Sequence, residues 1–344
     1  VAPEVTCTMI KKMKRLFTVL TLLLIGVTVS AQDAKQLHET ARTFMLQKDF
    51  SNAILVLNRA MQMDPKDLEI AKDLSLNYYF AKDYIKALDI MKPLLDREDA
   101  DDQCFQIAGD IYLALDQTKE CEKVYKKGLK KFPASGPLYN ELGLLLWAQK
   151  DFSAIKQWEK GIETDPGFSK NYFNAARYYF FTTDKVWSIL YGEIFLNIEP
   201  QSPSTVEIRN ILLESYKKLF LDVDLEKNNV SKNDFTAAFI HTMNAQTSLA
   251  AGGINTESLT MIRTRFILEW QQLYAAKFPF RLFDHQQQLL QEGLFDAYNQ
   301  WIFTAVQNLP QYQNWTESHA TEYNELMRFQ NGRIFKIPTG QYYH

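Results

Sequence analysis

Between residues 33 and 200 apolar side chains recur at helical spacing in blocks of about a dozen residues, and short polar corners separate the blocks. The stretch "KDFSNAILVLNRAMQMDP", Lys48 to Pro65, returns as "KDFSAIKQWEKGIETDP", Lys150 to Pro166, with a weaker echo, "KDYIKALDIMKPLLDRED", at Lys82 to Asp99. Taking Ala41, Phe44, Ala53, Leu57, Ala60 and Pro65 as a template, a shift of 34 residues lands on Ser75, Tyr78, Ala87, Met91, Leu94 and Asp99. Further shifts give Gly109, Tyr112, Cys121, Tyr125, Gly128 and Pro133, and then, with one deletion, Gly143, Leu146, Ala154, Trp158, Gly161 and Pro166. A fifth set is Ala176, Tyr179, Ser188, Gly192, Phe195 and Pro200.

Each unit predicts two amphipathic helices around a polar turn. Small residues in the first helix (Ala41, Gly109, Gly143) are expected to face Ala53, Cys121 and Ala154 in the second, which lets the axes approach closely. Phe44, Leu57, Tyr112, Tyr125 and Trp158 are expected to fill the space between neighbouring hairpins, and the prolines to stop the second helix. One hairpin cannot bury its apolar face alone, so the repetition instructs the units to stack.

The small-x-x-aromatic, Ala-x-x-x-aromatic and terminal Pro pattern, five times in register, resembles the tetratricopeptide repeat. The resemblance implies an all-α solenoid of five hairpins whose first helices line a concave, peptide-binding groove. Carried over residue by residue, that groove would present His38, Arg42, Lys72, Tyr79, Gln106, Asp110, Asn140, Trp147, Phe173, Arg177 and Phe180. The family's carboxylate clamp needs Lys and Asn in adjacent repeats. Lys72 and Asn140 are not in adjacent repeats, so that clamp is not expected. Tyr79, Trp147, Phe173 and Phe180 remain as aromatic anchors, unless the C-terminal region packs into the groove and turns them into core.

The repeat register fades after Pro200. Residues 204–220 predict a capping helix, and a polar stretch from 222 to 234 reads as a linker. Four more helices are expected at about 234–250, opened by a Ser231–Asp234 capping box, then 256–277, 282–309 and 316–329. The second of these is apolar on several sides (Leu259, Ile262, Phe266, Ile267, Trp270, Leu273) and should lie at the centre of a bundle. The expected organisation is a leader over 1–31, five repeats over 32–201, cap and linker over 202–225, and a helical domain over 226–344.

Chemistry enters last because it changes least. Lys11, Lys12, Lys14 and Arg15 precede an apolar run from Leu16 to Val29 that ends in Val29-Ser30-Ala31, a pattern that predicts cleavage before Gln32 and export to a periplasmic or secreted location. The chain after Ala31 has 34 Lys+Arg and 40 Asp+Glu, a net charge of −6, with no basic block, so neither nucleic acid nor stable membrane insertion is expected. Cys104 and Cys121 are expected as buried free thiols, because antiparallel pairing puts them too far apart for a disulfide. No catalytic motif is present and the histidines are scattered, so no metal or cofactor is expected. The best acid/base group is Asp284, Glu292 and Asp296 with His285, which a solvated helix face explains equally well. These features favour a non-enzymatic exported scaffold for a protein or peptide in a bacterial cell envelope. The alternative is a glycan-binding protein using the aromatic groove, and a weaker one is a hydrolase with its site in the C-terminal helices.

Overall fold

A computed structural model describes residues 33–221, 225–227 and 233–344. The N-terminal basic and apolar segment and Ser231 lie outside the described residues. All regular structure in the described residues is helical. The chain divides into two compact units, the first ending at Gly128 and the second beginning at Leu129.

The first unit holds α1 (33–46), α2 (Phe50–Met63), α3 (Leu68–Phe80), α4 (Tyr84–Leu94), α5 (Asp102–Ala114) and most of α6 (Thr118–Lys131). The second opens with α7 (Gly136–Ala148), α8 (Ala154–Thr164), α9 (Ser169–Phe180), α10 (Lys185–Ile198) and α11 (Thr205–Leu219). Odd-numbered helices from α1 to α9 are the first members of the five expected hairpins.

The polar corners obey one rule. Lys48, Lys82, Asp116 and Lys150, 34 residues apart, all have φ between 57° and 63°. In the first corner the Lys48 amide donates to the Met45 carbonyl and the Asp49 amide to the Phe44 carbonyl, and the other three repeat both bonds. This is a Schellman ending, which satisfies carbonyls that a helix end would otherwise leave bare. Asp49 and Asp83 then accept an amide hydrogen bond from the next helix, so one residue closes a helix and caps another.

Small residues bring the hairpin helices together, with one difference from the expectation. A Cβ on Gly109 would lie 2.1 Å from Tyr125 Cε1, and one on Gly143 would lie 2.3 Å from Trp158 Nε1. Tyr125 and Trp158 therefore pack inside their own hairpins, because each glycine leaves a hollow that a flat ring fills. Where the small residue is serine, Ser75 Oγ donates to the Ala87 carbonyl at 2.9 Å and Ser188 Oγ to that of Ala176 at 3.1 Å. Cys104 and Cys121 are buried and free.

The C-terminal helices are α12 (Asp234–Asn244), α13 (Thr247–Ala250), α14 (Thr256–Leu273), α15 (Arg281–Gln291), α16 (Phe295–Asn299), a π-helical turn at Gln300–Thr304, α17 (Ala305–Gln307), α18 (Leu309–Ser318) and α19 (Ala320–Gly332). Asn233 caps α12, its side chain accepting from the Thr236 amide. The expected helix 282–309 is broken at Gly293, whose φ of 72° ends α15. Pro310, expected to lie beyond a helix end, instead opens α18, where its missing N–H is no loss. Helix α14 is central as expected, with Leu259, Ile262, Phe266, Ile267 and Trp270 buried, whereas Leu273 is exposed.

The expected boundary near 201 differs from the division after Gly128. Every residue of α10 from Val186 to Asn197 is buried, because α12 and α15 pack on it while α9 and α11 flank it. The fifth hairpin thus shares a core with the C-terminal helices.

Candidate functional site

The residues expected to line a groove fall on the first helices of the hairpins, and part of that face is spent on joining the repeats. In the first unit His38 Nε2 lies 2.6 Å from Asp73 Oδ2, and Arg42 Nε lies 3.5 Å from the same oxygen. Lys72 is 3% exposed and its ammonium donates to Asp101 at 2.5 Å, Glu69 at 2.6 Å and Gln103 at 3.0 Å. Burial works against its charge, but the hydrogen bonds and fields of Asp101 and Glu69 outweigh it and raise the pKa. Lys72 is therefore a tie between α3 and α5 and cannot reach a partner. Tyr79 stays half-buried at the corner, its ring 5.5 Å from Phe80 and 5.6 Å from Tyr84. Burial, followed by the negative charge of Asp110, raises the Tyr79 pKa. Asp110 is half-buried on α5.

In the second unit Asn140 is 1% exposed and is also a tie. Its Oδ1 accepts from Asn174 Nδ2 at 2.8 Å, and its carbonyl accepts from Trp158 Nε1 at 3.4 Å. Lys72 and Asn140 leave the candidate site for one reason: polar groups on this face pair with the next repeat. The remaining residues stay half-exposed. Trp147 packs edge-on to Phe152 at 5.9 Å and Tyr178 at 5.8 Å. Phe173 lies under the Arg177 guanidinium at 5.3 Å and leans on Phe195, while Arg177 pairs with Glu207 at 2.8 Å. Phe180 has Lys218 Nζ 3.9 Å and Lys185 Nζ 5.8 Å from its ring centre. Burial, and then the charge of Lys218, lowers the Lys185 pKa.

Among the described helices, the C-terminal ones make no substantial packing against α7. They rest on α10 and α11, and from the chain's last residue His344 Nε2 reaches Tyr179 Oη at 2.5 Å and Glu159 Oε1 at 3.0 Å. Trp147, Phe173 and Phe180 are thus half-exposed anchors in the second unit. Phe152, Tyr178 and Lys218 belong beside them and were not expected. Phe152 could have been found at the polar corner it shares by repeat spacing with Phe50 and Tyr84.

The acid/base group does not assemble. Glu292 pairs with Arg333 at 2.9 Å, Asp284 and Asp296 are exposed on different helices, and His285 is buried between Phe329 and Phe335. Burial and then the charges of Arg281 and Arg333 hold His285 down to about 3, so it is neutral. The strongest buried polar cluster is elsewhere. Arg263, 1% exposed, pairs with Glu193, which also accepts from Gln286 at 2.6 Å and Tyr298 at 3.0 Å. It is sealed, and it ties α14 to α10. No described helix is long and apolar enough to cross a membrane.

The family model of anaphase-promoting complex (cyclosome) subunit 3 matches residues 46–128. The BBSome complex member BBS4 of Bos taurus is 31% identical over 117 residues, 34% of this chain and 22% of that protein. Its Mus musculus counterpart is 30% identical over the same length. The chain spans about a fifth of the length of these curated relatives. Among solved structures, a thermophilic TPR protein of Thermus thermophilus is similar at TM-score 0.42 and 15% identity, over 53% of this chain and 98% of that one. The pilF protein of Pseudomonas aeruginosa is similar at TM-score 0.44 and 12% identity, over 71% and 93% of the two chains.

Proposed function

We propose that this tetratricopeptide-repeat protein is an exported, non-enzymatic scaffold of a bacterial cell envelope, binding a protein or peptide through the aromatic face of its first helices. One observation carries the reading. Trp147, Phe173 and Phe180 stay partly exposed, although the second unit buries many other aromatic side chains. Half-exposed aromatics with fixed neighbours are what binding hot spots are made of, since they offer area at little cost in side-chain freedom. Lys185 and Lys218 beside Phe180 add positive charge, which favours a partner with acidic residues near its apolar anchors.

Panning a random peptide library and a glycan array against the full chain separates this reading from the carbohydrate one. Peptides with apolar anchors flanked by acidic residues should be enriched, and their binding should fall in Phe180→Ala. Glycan binding that Phe180→Ala or Trp147→Ala abolishes, with no peptide enriched, would favour the alternative. Export rests on the N-terminal segment alone, and sequencing of exported protein should start at Gln32.

A further inference from the structure

The first two corners of the first unit carry an exposed apolar run that the turn itself does not require. Phe50 and Phe80 stack at 5.1 Å across the two hairpins, Tyr79 meets Phe80 edge-on at 5.5 Å, and Tyr84 lies 5.6 Å from Tyr79. Leu46, 86% exposed, precedes the first corner, and Phe80 and Ile85 stand exposed on either side of the second. The third corner is an internal control. It makes the same two backbone bonds, from the Asp116 amide to the Leu113 carbonyl and from the Gln117 amide to that of Tyr112, and Asp116 has the same left-handed φ of 57°. Yet Ala114, Asp116 and Thr118 stand where the first two corners have Leu46 and Phe80, Lys48 and Lys82, and Phe50 and Tyr84. Small and polar residues build the turn equally well, so the rings and the lysines answer to something other than the turn.

The lysines say what that is. A φ of 59° or 63° suits glycine and strains a residue with a Cβ. Lys48 and Lys82 hold it nonetheless, exposed and without an ion pair among the described residues. The neighbouring carboxylates are spent: Asp49 accepts from the amide and side chain of Asn52, and Asp83 from the amide and ammonium of Lys86. Exposed apolar side chains that adjoin rather than scatter mark a contact with another molecule, and the free ammonium groups select its charge. No sheet edge exists among the described residues for an extended partner to join, so the complementary form is a helix with an apolar stripe between carboxylates. A lipid surface fits less well. Recruitment to anionic membranes takes clusters of about four to eight basic residues, whereas Lys48 and Lys82 stand against a net charge of −6 for the chain after Ala31.

We propose that the first two corners of the first unit bind an acidic amphipathic helix of a partner protein, its apolar side chains covering Leu46, Phe80 and Ile85 and its carboxylates meeting Lys48 and Lys82. This edge shares no residue with Trp147, Phe173 and Phe180 and does not depend on them. The test is fluorescence anisotropy of labelled helical peptides titrated with the full chain. One peptide carries Leu on one face and Glu on the other, a second replaces Glu by Lys, and a third replaces Leu by Gln. The Leu/Glu peptide should bind, more weakly as salt rises, and the other two should not. Lys48→Gly combined with Lys82→Gly should weaken it roughly fivefold or more, as two exposed ion pairs are lost. That variant should melt no lower than wild type, because glycine suits the left-handed corner. Leu46→Ser should weaken binding too, whereas Trp147→Ala should leave it unchanged. No binding of the Leu/Glu peptide, equal binding of the Lys peptide, an unchanged titration or a lower melting point in the double variant, or loss of binding in Trp147→Ala would each overturn the proposal. So would binding to phosphatidylserine vesicles that the double variant abolishes, which would assign the edge to a membrane.

Discussion

Gly143→Ala isolates the packing rule of the repeats. The added methyl would sit 2.3 Å from Trp158 Nε1 and 2.7 Å from its Cδ1 and Cε2. The indole has little room to yield, since it is 2% exposed and its N–H is held by the Asn140 carbonyl. Overpacking of this kind costs about 1–3 kcal/mol, and occasionally more. Alanine is also a better helix former than glycine, by about 1 kcal/mol. The first term should win, leaving a net loss of up to about 2 kcal/mol. Gly192 is the control, for there the new methyl meets Leu212 Cδ2, the movable end of a side chain, at 3.1 Å. Cost and propensity should nearly cancel in Gly192→Ala. Urea unfolding followed by far-UV circular dichroism reads both, as midpoints at constant slope. In a Trp158→Leu background Gly143→Ala should become neutral or stabilising. Equal midpoints for the two single variants, or no relief from Trp158→Leu, would show that the ring does not depend on the glycine.

Three further outcomes rest on the buried groups. Burial, with Asp101 next, pushes the Cys104 thiol up to about 12, so Cys104 and Cys121 should not react with a soluble disulfide reagent until the chain is unfolded; rapid labelling of the native protein, located by mass spectrometry, would refute this. Burial and then Asp184 raise Glu159 from 4.5 to about 7, against the hydrogen bond from Tyr179. The folded chain then holds a proton that the unfolded chain has lost, so this group's contribution is present at low pH and disappears as pH rises from 4.5 to about 7. His344, lowered by burial, acts in the opposite direction, costing stability as pH falls below 6.5. The stability of wild type minus that of Glu159→Gln should therefore fall by about 3 kcal/mol across the window, and a constant difference would contradict the shift. Glu193→Gln leaves the sealed Arg263 without its counter-charge and should cost about 3–5 kcal/mol of unfolding free energy; a loss under about 1 kcal/mol would mean that the cluster is hydrated.

The hairpins were legible because a 34-residue period repeats the same small, bulky and polar positions, and even the left-handed corner residues at Lys48, Lys82 and Lys150 recur at that spacing. What misled was orientation within the period. Gly109 and Gly143 announce a close approach, but the sequence does not say that a ring rather than a small residue fills it. Lys72 and Asn140 look like groove residues in a single repeat. Their partners Asp101 and Asn174 belong to the next repeat, and only stacking shows that these side chains are consumed. In the C-terminal helices the period is lost, so Gly293 as a break and Pro310 as a helix start could not be told from their opposites. The Arg263–Glu193 pair joins residues 70 apart with no pattern linking them.

The central claim is that the aromatics on the first helices are binding anchors, and Trp147→Ala tests it most directly. The measurement is calorimetric titration of a library-selected peptide into the variant and wild type, with a thermal melt of each. Trp147 is half-exposed, so its removal should cost less stability than the about 3–5 kcal/mol of a fully buried tryptophan. The account predicts a melt close to wild type and binding weaker by at least about 2 kcal/mol, roughly 30-fold. A melt far below wild type, or a titration that does not change, would contradict it.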